Sequence, residues 1–302
     1  MTTLVTGGSG LLGSEIICAK GTTIKPSHRE LDVEDYCQLK RYVQTYRVDR
    51  IIHCAALVGG VKANSERNYD FFQKNLKMNL NILDVCREFS LKGSVFILSS
   101  CIMPKDGALP YREDSLHLGE PHSTNYGYSY AKRMLQVGSQ ALWEQYGINT
   151  TCIIPCNLYG KKDNYRLESG HVIPNLIHKC FLAKQNKTDF VVWGSGNPER
   201  EFMYAEDLGK IITHGNLPYV GSMIVSPGMS HTIRETAEII SEKMGFSGKI
   251  VFDSEKPEGI IRKPTDNSVF RRHNPDFQFT TLEQGLEKTI EYFVKHHENL
   301  RL

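Results

Sequence analysis

The chain carries little net charge, no close cysteine pair and no long apolar run, and each absence removes a class of function. With a formal net charge of +2 and no dense Lys/Arg run, neither nucleic acid nor a membrane surface is expected as a partner. No apolar stretch approaches the roughly 18 residues of a membrane span. Met1 to Gly8 leave no room for a basic and then apolar leader before the first glycines, so a cytoplasmic protein is expected. The eight cysteines contain no CxxC pair, so no zinc cluster or other metal site is expected, and they read as reduced thiols. There are no repeats and no low-complexity segments. What remains is an ordinary globular composition, 302 residues with 40 % apolar side chains, enough for one large α/β domain and a smaller one.

Periodicity gives the organisation. Leu4-Val5-Thr6 is a short strand that meets a glycine turn, after which Leu11, Leu12, Ile16 and Ile17 continue at helical spacing. Thr22 to Lys25 reads as a second strand, and Asp32 as the cap of a helix with Tyr36, Leu39, Val43 and Tyr46 on its apolar face. Arg50 to Ala56 is a near-continuous apolar strand, as expected where both faces of a parallel sheet are covered. A helix from about Asp70 to Phe89, a strand Ser94 to Ser99, a helix from about Tyr126 to Tyr146 and a strand Thr150 to Pro155 follow. This alternation predicts a doubly wound parallel Rossmann sheet, α/β in class. After Gly160 the rhythm breaks: 161–170 is polar and irregular, and short strands alternate with helices up to a last one at about Leu282 to His297. The expected division is 1–160 for the dinucleotide and 161–302 mainly for substrate, with segments near 201–228 returning to the sheet.

Gly7, Gly10 and Gly13 make a GxxGxxG turn, with Leu11 and Leu12 inside it, between a strand and an expected helix. Glycines there allow the turn, the close approach of the backbone and helix–strand packing, and the helix N-terminus would receive a pyrophosphate. The residues after the second strand choose the cofactor. NAD sites usually carry an acidic residue there, whereas this chain has His28 and Arg29. NADP(H) is therefore expected, with Arg29, helped by His28, reading the 2′-phosphate. The alternative is a pair of solvated loop charges, and Glu30 keeps NAD open.

Tyr128 and Lys132 lie four apart, on one face of a helix. A cation near the phenol would lower its pKa toward working pH and make it a usable acid or base. Ser99 ends a strand where such folds present active residues. A surface Tyr–Lys pair is the plainer alternative.

These motifs resemble the extended short-chain dehydrogenase/reductase family. Within it, Ala55 to Gly60, Ser99 to Lys105, Asn125 to Lys132, Asn157 to Gly160 with Asp163-Asn164, His171 to Pro174, and Trp193 to Pro198 with Arg200-Glu201-Phe202 are similar to the GDP-L-fucose synthases. The resemblance covers nearly the whole chain. It implies NADPH-dependent 3,5-epimerisation and 4-reduction of GDP-4-keto-6-deoxy-D-mannose by a homodimer, its helices 70–89 and 126–146 pairing with their copies. Ser99, Tyr128 and Lys132 would serve the hydride step, Cys101 would be the epimerisation base and His171 its acid partner. A positive neighbour, His171 or Lys132, would have to favour the Cys101 thiolate. Leu98, Lys132 and His171 would also touch the cofactor, and Pro155, Asn157 and Leu158 would lie near its nicotinamide. Lys179, Trp193, Arg200 and Glu258 would hold the GDP part. Met103, Cys156 and Glu258 depart from the usual aromatic, Thr and Asp. Other readings are a nucleotide-sugar 4-epimerase or 4,6-dehydratase of the same fold, or a non-catalytic NADP sensor. A buried structural thiol at Cys101 and a loop histidine at His171 are the bland alternatives.

Overall fold

The computed structural model describes residues 1–18, 21–256 and 259–300. The chain begins β1 (Thr2–Thr6), β2 (Thr22–Ile24), α1 (Tyr36–Tyr46), β3 (Arg50–His53), α2 (Val61–Glu66), α3 (Asn68–Phe89) and β4 (Ser94–Ile97). It continues with α4 (Tyr126–Tyr146), β5 (Thr150–Pro155), β6 (Asn157–Tyr159), α5 (Val172–Asn186), β7 (Phe190–Trp193), β8 (Glu199–Tyr204) and α6 (Ala205–His214). The remainder is β9 (Gly221–Val225), β10 (Ser230–Thr232), α7 (Ile233–Lys243), β11 (Ile250–Asp253), α8 (Ser268–His273) and α9 (Leu282–His296).

Six strands form one parallel sheet in the order β2-β1-β3-β4-β5-β9, the doubly wound class. The chain steps outward from β1 to β2, then returns to the other side of β1 for β3. That reversal opens a crevice at the carboxyl ends of the strands, where such sheets bind ligands. Neighbouring positions on each strand serve opposite faces. Leu4, Ile51 and Cys152 join Leu39, Ile82 and Leu135 of α1, α3 and α4 in one core. Val5, Ile52 and Ile153 join Leu208 and Ile211 of α6 and Phe270 of α8 in another. Because both faces are covered, every residue of β4 and β5 is buried.

Two expectations fail here. The glycine turn does not open a long helix: the chain makes one 3-10 turn, Gly13–Glu15, and Ile16 is already extended. An α-helix rises about 1.5 Å per residue, so the steps from Gly13 to Thr22 would gain only about 14 Å. The chain must travel back along β1, about 16 Å at strand rise, before β2 can pair Thr22 with Thr2. There is too little chain for a helix, and α6 fills the space, with Leu208 and Ile211 against Leu12 and Ile16. The cap of α1 is also not Asp32. Asp35 accepts from the Gln38 N–H at 3.0 Å, while Asp32 accepts from Glu34 N–H in a local turn.

Residues beyond β5 build two further sheets, β10-β8-β6 and β11-β7. Their core holds Tyr159, Tyr165, Phe190, Tyr204 and Phe293, wrapped by α5, α7 and α9. β9 leaves this region and pairs with β5 in the large sheet.

Candidate active site at the strand ends

The cofactor side begins at the glycine turn. Gly7 has φ +67°, and a Cβ there would come within 2.8 Å of the Ala55 nitrogen. A Cβ at Gly13 would collide with the Gly7 carbonyl. The Gly10 N–H closes the turn on Gly7 O at 3.0 Å. This is a backbone cradle of the kind phosphate-binding turns use, but without the long helix expected behind it. Leu11 lies beside Gly160 at the surface of the turn, while Leu12 belongs to the core. Lys25, at the end of β2, packs against Gly8 and donates from Nζ to Ser14 O at 2.9 Å. Burial holds its pKa below the ordinary lysine value. In the following loop Glu30 is engaged locally, accepting from both the N–H and the hydroxyl of Ser27 at 2.7 Å. Arg29 is exposed, and His28 lies 4.0 Å from Asp32.

Next come the residues of the expected hydride step. Ser99 follows β4, and Tyr128 and Lys132 lie on α4. Burial, then the charge of Cys101, holds the Tyr128 phenol well above the ordinary tyrosine value; a hydrogen bond from Ser99 opposes this but is smaller. Lys132 is 2 % exposed and donates to Ile97 O at 2.8 Å. Burial lowers its pKa to about 8, partly offset by Cys54 and Cys152. The four-residue spacing predicted an ammonium that depresses the phenol. Instead Lys132 points to the β4 carbonyl, and Tyr128 stays protonated. Below them His53, fully buried, links Thr6 Oγ1 at 2.7 Å to Asn79 Oδ1 at 3.2 Å, and Asn79 donates to Ala131 O beside Lys132. Leu98 is tied to Ile153 O, Pro155 ends β5, Asn157 donates to Glu201 O at 2.9 Å, and Leu158 packs on the lower core. All four lie along the β4, β5 and β6 edge.

A second group carries charge. Desolvation alone would raise the Cys101 thiol, but Lys263, the Ser99 hydrogen bond, His171 and Arg200 together outweigh it and leave the pKa below the ordinary value. For His171, desolvation pulls the pKa down. Asp163, and then Cys101, overcome it and leave the imidazole above the ordinary histidine value. The Asp163 carboxylate is 4 % exposed and lies 3.9 Å from His171 Nδ1, a charge contact longer than a direct hydrogen bond. Arg200 is fixed by bonds to Glu199 O at 2.7 Å and Ile260 O at 2.6 Å. Burial lowers its pKa while the charge of Cys101 raises it, so the guanidinium lies within electrostatic reach of the thiol. Of the two alternatives for the cation favouring the Cys101 thiolate, His171 acts on it, while the Lys132 ammonium is bound to Ile97 O; Lys263 is the largest charge acting on the thiol. Lys263 and Asp163 were given no role from sequence. Asp163 lies in one of the stretches that resemble the family, whereas no local pattern marks Lys263.

Farther out, β7 alternates buried Phe190 and Val192 with outward Val191 and Trp193. With Lys179, Leu182, Ala183 and Asn186 of α5 these outward residues line a groove of about 190 Å³. Lys179 Nζ sits over the half-exposed Trp193 ring, 4.4 Å from its centre. Glu258 lies outside the described residues.

Residues 3–214 match the NAD dependent epimerase/dehydratase family. A GDP-L-fucose synthase of Dictyostelium discoideum is 38 % identical to the chain, over 99 % of it and 97 % of the relative. A GDP-L-colitose synthase of Yersinia pseudotuberculosis is 34 % identical, over 99 % of the chain and 100 % of its own length. Among solved structures, a GDP-L-fucose synthetase from Naegleria fowleri bound to NADP superposes with a TM-score of 0.93 at 36 % identity, covering 100 % of this chain and 95 % of that one. A glycine cradle at a doubly wound crevice, and near full-length likeness to enzymes of nucleotide sugars, lead to one conclusion: the chain belongs to the NAD dependent epimerase/dehydratase family.

Proposed function

We propose that the chain converts GDP-4-keto-6-deoxy-D-mannose to GDP-L-fucose by epimerising C3 and C5 and then reducing C4 with NADPH. The observation that carries this reading is the pairing of two unlike groups in one cleft. A thiol with a depressed pKa lies among cations, two residues from Ser99, and beside it is a phenol that stays protonated. A 4-keto group acidifies the protons on C3 and C5. At each carbon in turn Cys101, as thiolate, takes the proton and His171, as imidazolium, delivers one to the opposite face. Between the two rounds the thiol gives its proton to water and the imidazole takes one back, which resets both groups. Asp163 keeps His171 charged. Tyr128 then gives its proton to the C4 oxygen while Ser99 orients that oxygen.

The glycine turn of Gly7, Gly10 and Gly13 and the strand-end residues Leu98, Pro155, Asn157 and Leu158 would hold NADP(H), which supplies the hydride when bound. Arg29 and His28 would face its 2′-phosphate, and Lys132 its ribose side. The Lys179–Trp193 groove and Arg200 would take the GDP part. We further propose that 1–160, with segments near 201–228, serves the cofactor and the rest of 161–302 mainly the nucleotide sugar. The enzyme would work in the cytoplasm as a homodimer. Exposed apolar residues on the paired helices α3 and α4, including Leu80, Met134, Val137 and Trp143, support that assembly. Among the described residues no helix is long and apolar enough to cross a membrane.

The test follows absorbance at the nicotinamide band after adding GDP-4-keto-6-deoxy-D-mannose and NADPH, with the product identified by NMR. Oxidation of NADPH with formation of GDP-L-fucose is expected. Sugar rearrangement without net oxidation would instead indicate a 4-epimerase or dehydratase that recycles its cofactor.

A further inference from the structure

The chain leaves β4 through Ser99 and a single 3-10 turn, Ser100–Ile102, which carries Cys101. A turn this short has few bonds of its own and poor hydrogen-bond geometry, so its shape depends on what it rests against. It rests on α4. Ser129 donates from Oγ to Cys101 O at 3.0 Å, and Arg133 donates from Nε to Ile102 O at 2.8 Å. The same guanidinium donates from Nη1 to Gly119 O at 2.7 Å, at the far end of the loop that starts after the turn. That loop is closed near its base by Lys105 N–H donating to Glu120 O at 2.8 Å and by a bridge between Pro104 and Pro121.

Arg133 is an expensive way to hold two carbonyls. It is 3 % exposed, its charge faces neutral acceptors, and Nη2 has no hydrogen-bond partner among the described residues. Burying a cation costs far more than burying a neutral donor. What the guanidinium supplies is a rigid planar fork that ties both ends of the loop at once, braced by the Tyr130 ring at 5.5 Å. Positions 129 and 133 are four apart and share a stripe of the helix, one residue around from 128 and 132.

We propose that Ser129 and Arg133 are positioning residues for Cys101, so that one helix sets both halves of the chemistry. Its 128/132 stripe serves the hydride step, and its 129/133 stripe fixes the loop that carries the proton-abstracting thiol. The inference rests on Cys101 acting as the base in the proposed function. A loop let slip by roughly 1 Å can cost about a hundredfold in a proton transfer.

The test uses the full chain carrying Ser129→Ala, Arg133→Met or Arg133→Lys, with two readouts. The first compares deuterium uptake at C3 and C5 of GDP-4-keto-6-deoxy-D-mannose, without NADPH, with single-turnover oxidation of GDP-L-fucose by NADP. The second is the pH profile of Cys101 alkylation by iodoacetamide, mapped by peptide mass spectrometry, with exposed Cys37 as internal control. In Ser129→Ala and Arg133→Met, exchange should fall at least about tenfold more than oxidation does, within the range a misplaced base allows. The alkylation midpoint of Cys101 should move to higher pH while that of Cys37 stays. Arg133→Lys, which keeps one donor, should recover part of both. Equal losses in exchange and oxidation with an unmoved Cys101 midpoint would mean a merely structural role and overturn the proposal. Should the wild type show neither exchange nor oxidation, the functional reading fails, and the alkylation profile alone decides the clamp.

Discussion

The two halves of the cleft are built on different electrostatic terms. On the α4 side, Tyr128 is kept protonated by burial and Lys132 is drawn down to about 8, its ammonium bound to a strand carbonyl. Around Cys101 the balance is reversed: Lys263, His171 and Arg200 favour a thiolate, and Asp163 favours an imidazolium. Groups linked through Ser99 and through the charge of Cys101 are thus pushed in opposite directions. The first half suits a proton donor that must hold its proton until hydride arrives. The second suits a base and an acid that must be charged together. Separate environments allow one cleft to run two kinds of proton transfer at one pH.

That contrast can be broken from either side. The largest effect is expected from Tyr128→Phe, which keeps ring packing but removes the donor: NADPH oxidation should fall by about two to four orders of magnitude. Exchange of the C3 and C5 protons with heavy water should persist. Loss of exchange, with cofactor and substrate still bound, would show that the halves are not separable. A smaller effect is expected at the cofactor. A charge-assisted phosphate contact is worth about 1.5–3 kcal/mol, roughly ten- to a hundredfold in binding. Arg29→Ala should weaken NADPH use by that much and change NADH use little; equal losses would exclude Arg29 as the phosphate reader. The smallest is expected from Lys263→Met. Removing the largest cation acting on Cys101 raises the thiol pKa, so the acidic limb of the exchange profile should move to higher pH. The rate loss should be about tenfold or less at neutral pH and should vanish as pH rises above the new value. A rate loss that is the same at all pH values would mean that Lys263 binds substrate and does not tune the base.

Much of this was legible along the chain, and the exceptions share a cause. Helix Tyr126–Tyr146 and strand Thr150–Pro155 have the limits that periodicity predicts, because a long amphipathic helix and a strand buried on both faces leave unambiguous patterns. The helix expected after Gly13 does not form because connection length, which no local pattern expresses, leaves too few residues to return along β1. Spacing put Lys132 on the face of Tyr128 but could not say where its ammonium would point, and the Ile97 carbonyl decides that. Lys263 comes from the other end of the chain, on a segment that pairs at Thr265 with Tyr111 and hydrogen-bonds there to Glu201. Only the folded structure brings such a residue to Cys101. Residues that act through the field they make on another side chain leave the weakest trace in sequence.

The central claim, that the charged half of the cleft abstracts protons independently of hydride transfer, is tested most directly by Cys101→Ser. The alcohol keeps the size of the thiol but is too weak an acid to serve as base. Deuterium incorporation into GDP-4-keto-6-deoxy-D-mannose, without NADPH, is followed by NMR in wild type and variant. The account predicts exchange at C3 and C5 in the wild type and none at either carbon in Cys101→Ser, with NADPH binding retained. Exchange at both carbons surviving in the variant would contradict it.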